Sequence, residues 1–497
     1  MCIRDSISAN RMPNIVFDVV AGGALSSVVI PVLARPLAAH DDDATRRTVS
    51  ALLTWTLLIL VPLSILGMLA SRPVMSVLLS GVADPGRRLQ MHDVGARMLV
   101  IFMPQIALYG VGVVLTGVLQ AHRRFLAPAI APLLSSIVVI TAYLAYAAQA
   151  GGDRAISSLS RAEELTLSLG TTLAVAALTL PLLLPGSRLG LRLRPTLRMP
   201  GEGGRQIRRL AVAGAVGLGA QQLATLVVIV VANRVEGALV LHELAWTIFL
   251  VPWAVLAVPI ATSVFPDLTR SAAVGDNAAY AASVSAALRA IVVSMLAAAA
   301  VLAAVAQPAA ELLVALTARA SRGAGTADLA RAISTFAPGL VGYGALALLT
   351  RAAYARNEGR AAAAATAAGF ATAAVLDVAL AGVVPRHWLV AALGIGNTVG
   401  MSVAAVLLLR WLHRAIGATV LRPAGRVTAR AAAAAVAAAI CGRVASDVAS
   451  PADAPAALAA TALGAVAAVA AFAGVASVVL RAESAAVLRM ASRRSRT

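Results

Sequence analysis

The 497-residue sequence predicts an all-α, polytopic membrane protein. About thirteen transmembrane helices are expected, in two pseudo-symmetric six-helix lobes, the first lacking one helix, plus a C-terminal helix pair. Three observations predict this. Hydrophobic residues make up 60% of the chain and charged residues 13%, with a mean hydropathy of +0.87, too apolar for a soluble protein of this length. Apolar runs long enough to cross about 30 Å of hydrocarbon recur along the whole chain. The sequence also repeats itself about 235 residues later.

The repeat is carried by residues that chance does not match easily in an Ala-rich chain. Setting Ala24 to Leu53 against Pro259 to Leu288 pairs Pro31 with Pro266, Leu33 with Leu268, Arg35 with Arg270 and Asp41 with Asp276. A second match sets FMPQIALYGVGVVLTGVLQA beside FAPGLVGYGALALLTRAAYA. It pairs Phe102 with Phe336, Pro104 with Pro338, Tyr109 with Tyr343, Gly110 with Gly344 and Thr116 with Thr350. Two homologous halves in one membrane chain are the usual plan of a secondary transporter, with the substrate site between them.

The apolar runs fall at 13–34, 49–70, 97–119, 125–148, 164–184, 206–232, 239–264, 283–306, 332–354, 361–383, 387–410, 429–446 and 456–480. An N-terminal lobe of five spans is expected over 1–185, an inter-lobe linker over 186–205 and a C-terminal lobe of six spans over 206–410. A loop (411–428), the helix pair (429–480) and a basic tail (481–497) complete the chain. The span at 206–232 opens the second repeat, and its partner would lie before residue 1. The sequence therefore predicts that one N-terminal helix is missing, and a truncated gene model accounts for the abrupt start MCIRDSISANRMPN.

The formal net charge is +19, and every basic residue is arginine. These arginines sit in short loops between apolar runs, a pattern that suits membrane orientation and not nucleic-acid binding. Counting them in alternate loops puts the first loop, the linker, Arg351 to Arg360, Arg410 to Arg426 and the tail on the cytoplasmic side. Cys2 and Cys441 form no disulfide framework, metal knuckle or redox pair. No nucleophile–base–orienter set, Walker motif or phosphate-cradling glycine loop occurs, so enzyme and ATPase readings rank low and no cofactor or metal is expected.

At PNIVFDVVAGGALSSVVIPVLARPL, HRRFLAPAIAPLLSSI and VPWAVLAVPIATSVFPDLTR the chain resembles the MviN/MurJ family of lipid II flippases. That family lies in the multidrug/oligosaccharidyl-lipid/polysaccharide exporter superfamily, and the likeness runs from about residue 10 to 480. The resemblance implies a transporter carrying the undecaprenyl-diphosphate-linked peptidoglycan precursor across the bacterial cytoplasmic membrane, with two lobes rocking around a hydrophilic cavity. It implies a lipid-tail groove at the C-terminal pair, and cell-wall synthesis and division proteins as candidate partners beside the precursor and the phospholipid bilayer. The family's cavity charges carry over poorly. Phe17, Asp18 and Gly22 stand where its best-studied members have an Arg pair and an acidic residue, and Trp246 and Thr247 replace an Asp-Arg pair; only Pro13 and Asn14 match. The pattern is closer to an actinobacterial branch. An exporter of another polyprenyl-linked glycan or of drugs, and a transport-inactive scaffold for cell-wall enzymes, remain alternatives.

Eight residues are candidates for the substrate cavity. Asp18 lies one turn into the first run, where a carboxylate is costly unless it faces protein or water, and Asn14 either lines the cavity or caps that helix. Gln221 and Gln222 sit mid-span and need a polar partner, in the cavity or on a neighbouring helix. His242 and Glu243 form a titratable pair, either coupling transport to protons or resting at the interface. Arg97 and Arg289 lie inside their spans, either to grip a diphosphate through the guanidinium fork or to snorkel to headgroups. Gly396 and Gly400 form a GxxxG pair that signals helix packing.

Overall fold

The structure is a computed structural model that describes residues 41–82, 84–122, 124, 126–150, 160–184, 195–197, 204–317, 325–356, 358–417, 424–448 and 454–479. Every regular element among them is helical. Ten helical segments are long and apolar enough to cross a membrane, and one bent pair makes an eleventh. Twelve of the thirteen expected runs are thus found as helices. The run at 13–34 lies outside the described residues, as do Asn14 and Asp18.

The chain divides into two compact units, at Gln222/Leu223. The first contains α1 (Asp42–Leu69), α2 (Ser71–Leu78), α3 (Pro85–Phe102), α4 (Gln105–Ala121), α5 (Leu126–Ala150) and α6 (Arg161–Thr179). The division falls inside α7 (Gly204–Ala232), so the chain passes from one unit to the other as helix.

Local chemistry sets the helix starts. Asp41 caps α1 by accepting from the Ala44 N–H at 2.8 Å, and Asp84 precedes Pro85, which needs no partner for its missing N–H. Ser160 and Glu163 form a capping box on α6. Inside the spans, hydroxyls bond back one turn: Thr48 to Ala44, Thr54 to Ser50, Thr141 to Ile137 and Ser168 to Glu164. That back-bonding lets a hydroxyl sit in a membrane helix without an unpaired donor. Large side chains such as Ile137, Ile140 and Leu144 point outward from α5.

The second unit holds α8 (Ala238–Pro252), a π-helical turn (Trp253–Ala257), α9 (Val258–Ala273) and the 41-residue α10 (Asn277–Thr317). It continues through α11 (Thr326–Phe336), α12 (Gly339–Ala355), α13 (Gly359–Ala381), α14 (Leu389–Ile416), α15 (Ala424–Val448) and α16 (Ala454–Val479). At 1.5 Å per residue α10 is roughly 60 Å long, about twice the hydrocarbon thickness, so it projects well beyond the apolar layer.

Small residues bring these helices together. A Cβ on Gly400 would lie 2.5 Å from the Gly369 carbonyl oxygen and 2.8 Å from the Ala373 Cβ, so the GxxxG pair is the contact face of α14 on α13. Gly342 of α12 meets the backbone of Met401 and Ser402 in the same way. In the C-terminal pair, a Cβ on Gly442 would be 2.7 Å from the Gly464 oxygen and from the Ala304 Cβ. The pair therefore docks on α10 as part of the second unit, around Ala300, Ala434, Ala438 and Phe472. Gly219 is different: nothing lies within 4 Å of its would-be Cβ, so it serves no close approach there.

Candidate functional site

In the first unit a line of polar contacts joins α3 and α4 to α6. Arg97 Nε donates to Glu164 Oε1 at 3.0 Å and its Nη2 donates to Oε2 at 2.8 Å. The Glu164 side chain is 4% exposed and that of Arg97 43% exposed, so the pair is buried at its carboxylate end and half-exposed at its guanidinium end. Two turns along, Gln105 Nε2 donates to Thr172 Oγ1 at 2.9 Å, and Thr172 donates to the Ile101 carbonyl at 3.1 Å. Thr179 Oγ1 donates to the Leu108 carbonyl at 3.1 Å. The Arg97 guanidinium, which the sequence offers either to a diphosphate or to headgroups, is thus occupied by Glu164.

The apolar run at 164–184 begins at Glu164, so hydropathy alone does not single this residue out. The helix starts one turn earlier, at Arg161, and this carries Glu164 inward far enough to meet Arg97. Two consecutive acidic residues just after a Ser cap, with only one needed for the capping box, are the signal that could have found it.

In the second unit, His242 stands edge-on to Phe336 with ring centroids 5.6 Å apart. Trp246 and Phe249, one and two turns further, stack at 5.3 Å. Both approach Phe336 and Tyr343, and Trp253 lies 4.9 Å from Tyr343. Thus Trp246, which stands where the resemblance anticipates a charge, belongs to an aromatic ladder between α8 and the α11–α12 pair. The ladder ends at the π-helical turn after Pro252, where the missing proline N–H shifts the helical register. Glu243 is half-buried beside His242 on α8, and Gln222 is buried on α7 with Gln221 half-buried next to it. Arg289 is half-buried on α10.

A buried carboxylate lies elsewhere. Asp377 of α13 is 2% exposed, faces Gly396 of α14, and its Oδ1 has no hydrogen-bond partner. Asn397, the next residue on α14, is 8% exposed with an unpartnered Nδ2. An ionised carboxylate in such a place is costly, so Asp377 is either neutral or takes up a positive charge.

Residues 6–450 match the family model described as "Lipid II flippase MurJ". The chain belongs to the MurJ family. It is 28% identical over 269 residues to the probable lipid II flippase MurJ of Rhizobium meliloti, an alignment covering 53% of this chain and 48% of that protein. With the lipid II flippase MurJ of Burkholderia cenocepacia it shares 26% identity over 360 residues, 70% of this chain and 66% of the relative. The chain thus spans about half the length of the Rhizobium relatives it matches.

The fold agrees with the family. A solved lipid II flippase MurJ in an inward closed conformation superposes with a TM-score of 0.70 at 14% identity, covering 96% of this chain and 92% of that one. An inward-facing transporter of the multidrug resistance MATE family gives 0.65 at 16% identity, covering 85% and 92%. The all-helical polytopic fold read from composition and periodicity is therefore that of MurJ and MATE transporters.

Proposed function

We propose that this MurJ-family chain moves a lipid-linked peptidoglycan precursor, with its undecaprenyl diphosphate, across the bacterial cytoplasmic membrane by alternating access, with the C-terminus cytoplasmic. The observation that supports this reading best is the C-terminal pair, α15–α16. It packs on α10 through glycine and alanine. The MurJ structure covers 96% of the chain, whereas the MATE structures cover 83–85%. A drug exporter of the same superfamily has no use for these two helices, while a polyprenyl chain of great length needs an apolar surface beside the transport path. Val436, Ile440 and Val444 of α15, with Leu463 and Val466 of α16, offer such a surface.

A diphosphate entering a membrane protein carries roughly two negative charges and needs a cation there. Arg97 and Arg289 are the candidates on the described spans, and Arg97 would have to exchange Glu164 for phosphate oxygens. Asn14, Asp18, Gln221, Gln222, His242 and Glu243 would supply polar lining without permanent positive charge.

The test is genetic. The gene is expressed in a host depleted of its own flippase, and survival is scored with delivery of labelled precursor to the outer leaflet. Rescue with restored delivery supports the proposal. Survival without delivery favours the scaffold reading, and failure at normal expression removes the flippase reading.

A further inference from the structure

In each unit the described residues include a membrane helix interrupted at a proline at the same place in the repeat. In the first unit the break is Met103–Pro104, between α3 and α4; in the second it is Ala337–Pro338, between α11 and α12. After both prolines the backbone tightens in the same way, with Ile106 N–H donating to the Met103 carbonyl and Leu340 N–H to the Ala337 carbonyl, each at 3.1 Å. The second pair bends by 42°, whereas Arg88–Gln120 in the first unit runs as a single apolar span. A proline supplies no N–H to the carbonyl four residues before it, and the break also takes the next N–H, that of Gln105 or Gly339, away from the carbonyl three residues before the proline; in hydrocarbon a carbonyl freed in this way must find another donor.

Both units supply that donor from the helix that ends the repeat. Thr172 Oγ1 of α6 donates to the carbonyl of Ile101 at 3.1 Å, and Thr398 Oγ1 of α14 donates to the carbonyl of Thr335 at 2.7 Å. Ile101 and Thr335 each lie three residues before their proline, so the same carbonyl of the repeat is capped twice. The surroundings differ. In the first unit the buried Gln105 also donates to Thr172, and Thr179 adds a bond to Leu108 further along. In the second unit Gly339 takes the place of Gln105. A Cβ there would lie 2.8 Å from Thr398 Oγ1 and 3.1 Å from its Cα, so the bare glycine lets α14 close onto the break. Two different sets of neighbours preserve one bond.

We propose that Thr172 and Thr398 are positioning residues that lock the two proline breaks, so that each unit moves as one rigid piece during transport. An interrupted span with a free carbonyl is a flexible joint, and a hydroxyl from a second helix pins it. A loosened joint would absorb the motion that alternating access needs to pass from one membrane face to the other. The word transport rests on the function proposed above; the lock itself rests on the two bonds.

The full chain, reconstituted in phospholipid nanodiscs with Cys2 and Cys441 replaced by serine, is labelled with nitroxides at the exposed positions Ala327 and Tyr354, on the two arms of the second break. Thr398→Ser should keep the wild-type distance distribution. Thr398→Val should broaden it or lengthen its mean, by up to about 3 Å for full straightening of arms that rise 1.5 Å per residue. Gly339→Ala, which pushes the hydroxyl away without deleting it, should act like Thr398→Val and serves if that variant does not fold. A distribution unchanged in every folded variant overturns the lock. In the depletion assay Thr398→Val should lower precursor delivery about tenfold and Thr398→Ser less than twofold; equal delivery by both also overturns it. If the unaltered chain delivers no precursor while the distances respond as stated, the flippase reading falls and the lock stands.

Discussion

Removing both partners of the Arg97–Glu164 pair should destabilise the first unit by less than the two single removals added together. The pair makes donor contacts at 2.8, 3.0 and 3.3 Å, with the Glu164 side chain 4% exposed and that of Arg97 43% exposed. Breaking a fully buried ion pair costs about 3–5 kcal/mol, and an exposed one is worth about 0–1 kcal/mol. With one buried and one half-wet partner, Arg97→Gln should cost about 2 kcal/mol, because the carboxylate is left behind in the protein. Glu164→Gln should cost about 1 kcal/mol, since the freed guanidinium can turn to water. The double variant should cost no more than about 2 kcal/mol, giving a coupling of about 1 kcal/mol. Denaturant titration of the purified chain in mixed micelles, followed by tryptophan fluorescence, measures each corner of the cycle. Costs that add without coupling would refute the argument, as would a Glu164→Gln variant less stable than Arg97→Gln.

Other expectations follow from close contacts and from burial. Asp377→Asn replaces an unpartnered buried carboxylate by a neutral isostere and should leave stability unchanged or raise it by about 1 kcal/mol; a loss above about 2 kcal/mol in the same titration would mean that the carboxylate is held by a charge. Gly400→Leu inserts a side chain where the Gly369 oxygen is already 2.5 Å from a Cβ, so it should cost at least about 3 kcal/mol or abolish detergent-stable expression. Gly219→Ala, with nothing within 4 Å, should be tolerated in that same expression test. Arg410→Gln, on the outer part of α14, should rescue flippase depletion as well as the unaltered chain.

Much of this molecule is legible in its sequence because a membrane imposes strict local rules. A span must be long, apolar and internally hydrogen-bonded, so twelve of the apolar runs fall on helices among the described residues, with ends up to about three turns from the observed ones. Duplication is legible because paired prolines, Tyr-Gly and loop arginines survive in an Ala-rich background. Helix ends were less legible: α6 begins one turn before its apolar run, and that turn decides whether Glu164 is a surface residue or the partner of Arg97. Side-chain partnerships between helices were not legible at all, since they depend on rotation about each helix axis. One residue's turn, about 100°, separates Asn397 from Gly396, which faces Asp377, and from Thr398, which caps Thr335. The capping threonines lie 226 residues apart while the carbonyls they cap lie 234 apart, so no single sequence offset reveals the shared bond. Composition and periodicity determined that the chain is a bundle of membrane helices in two related halves. Only the tertiary structure decided which polar groups meet, because a hydrogen bond depends on a few ångströms and a few tens of degrees that hydropathy does not encode.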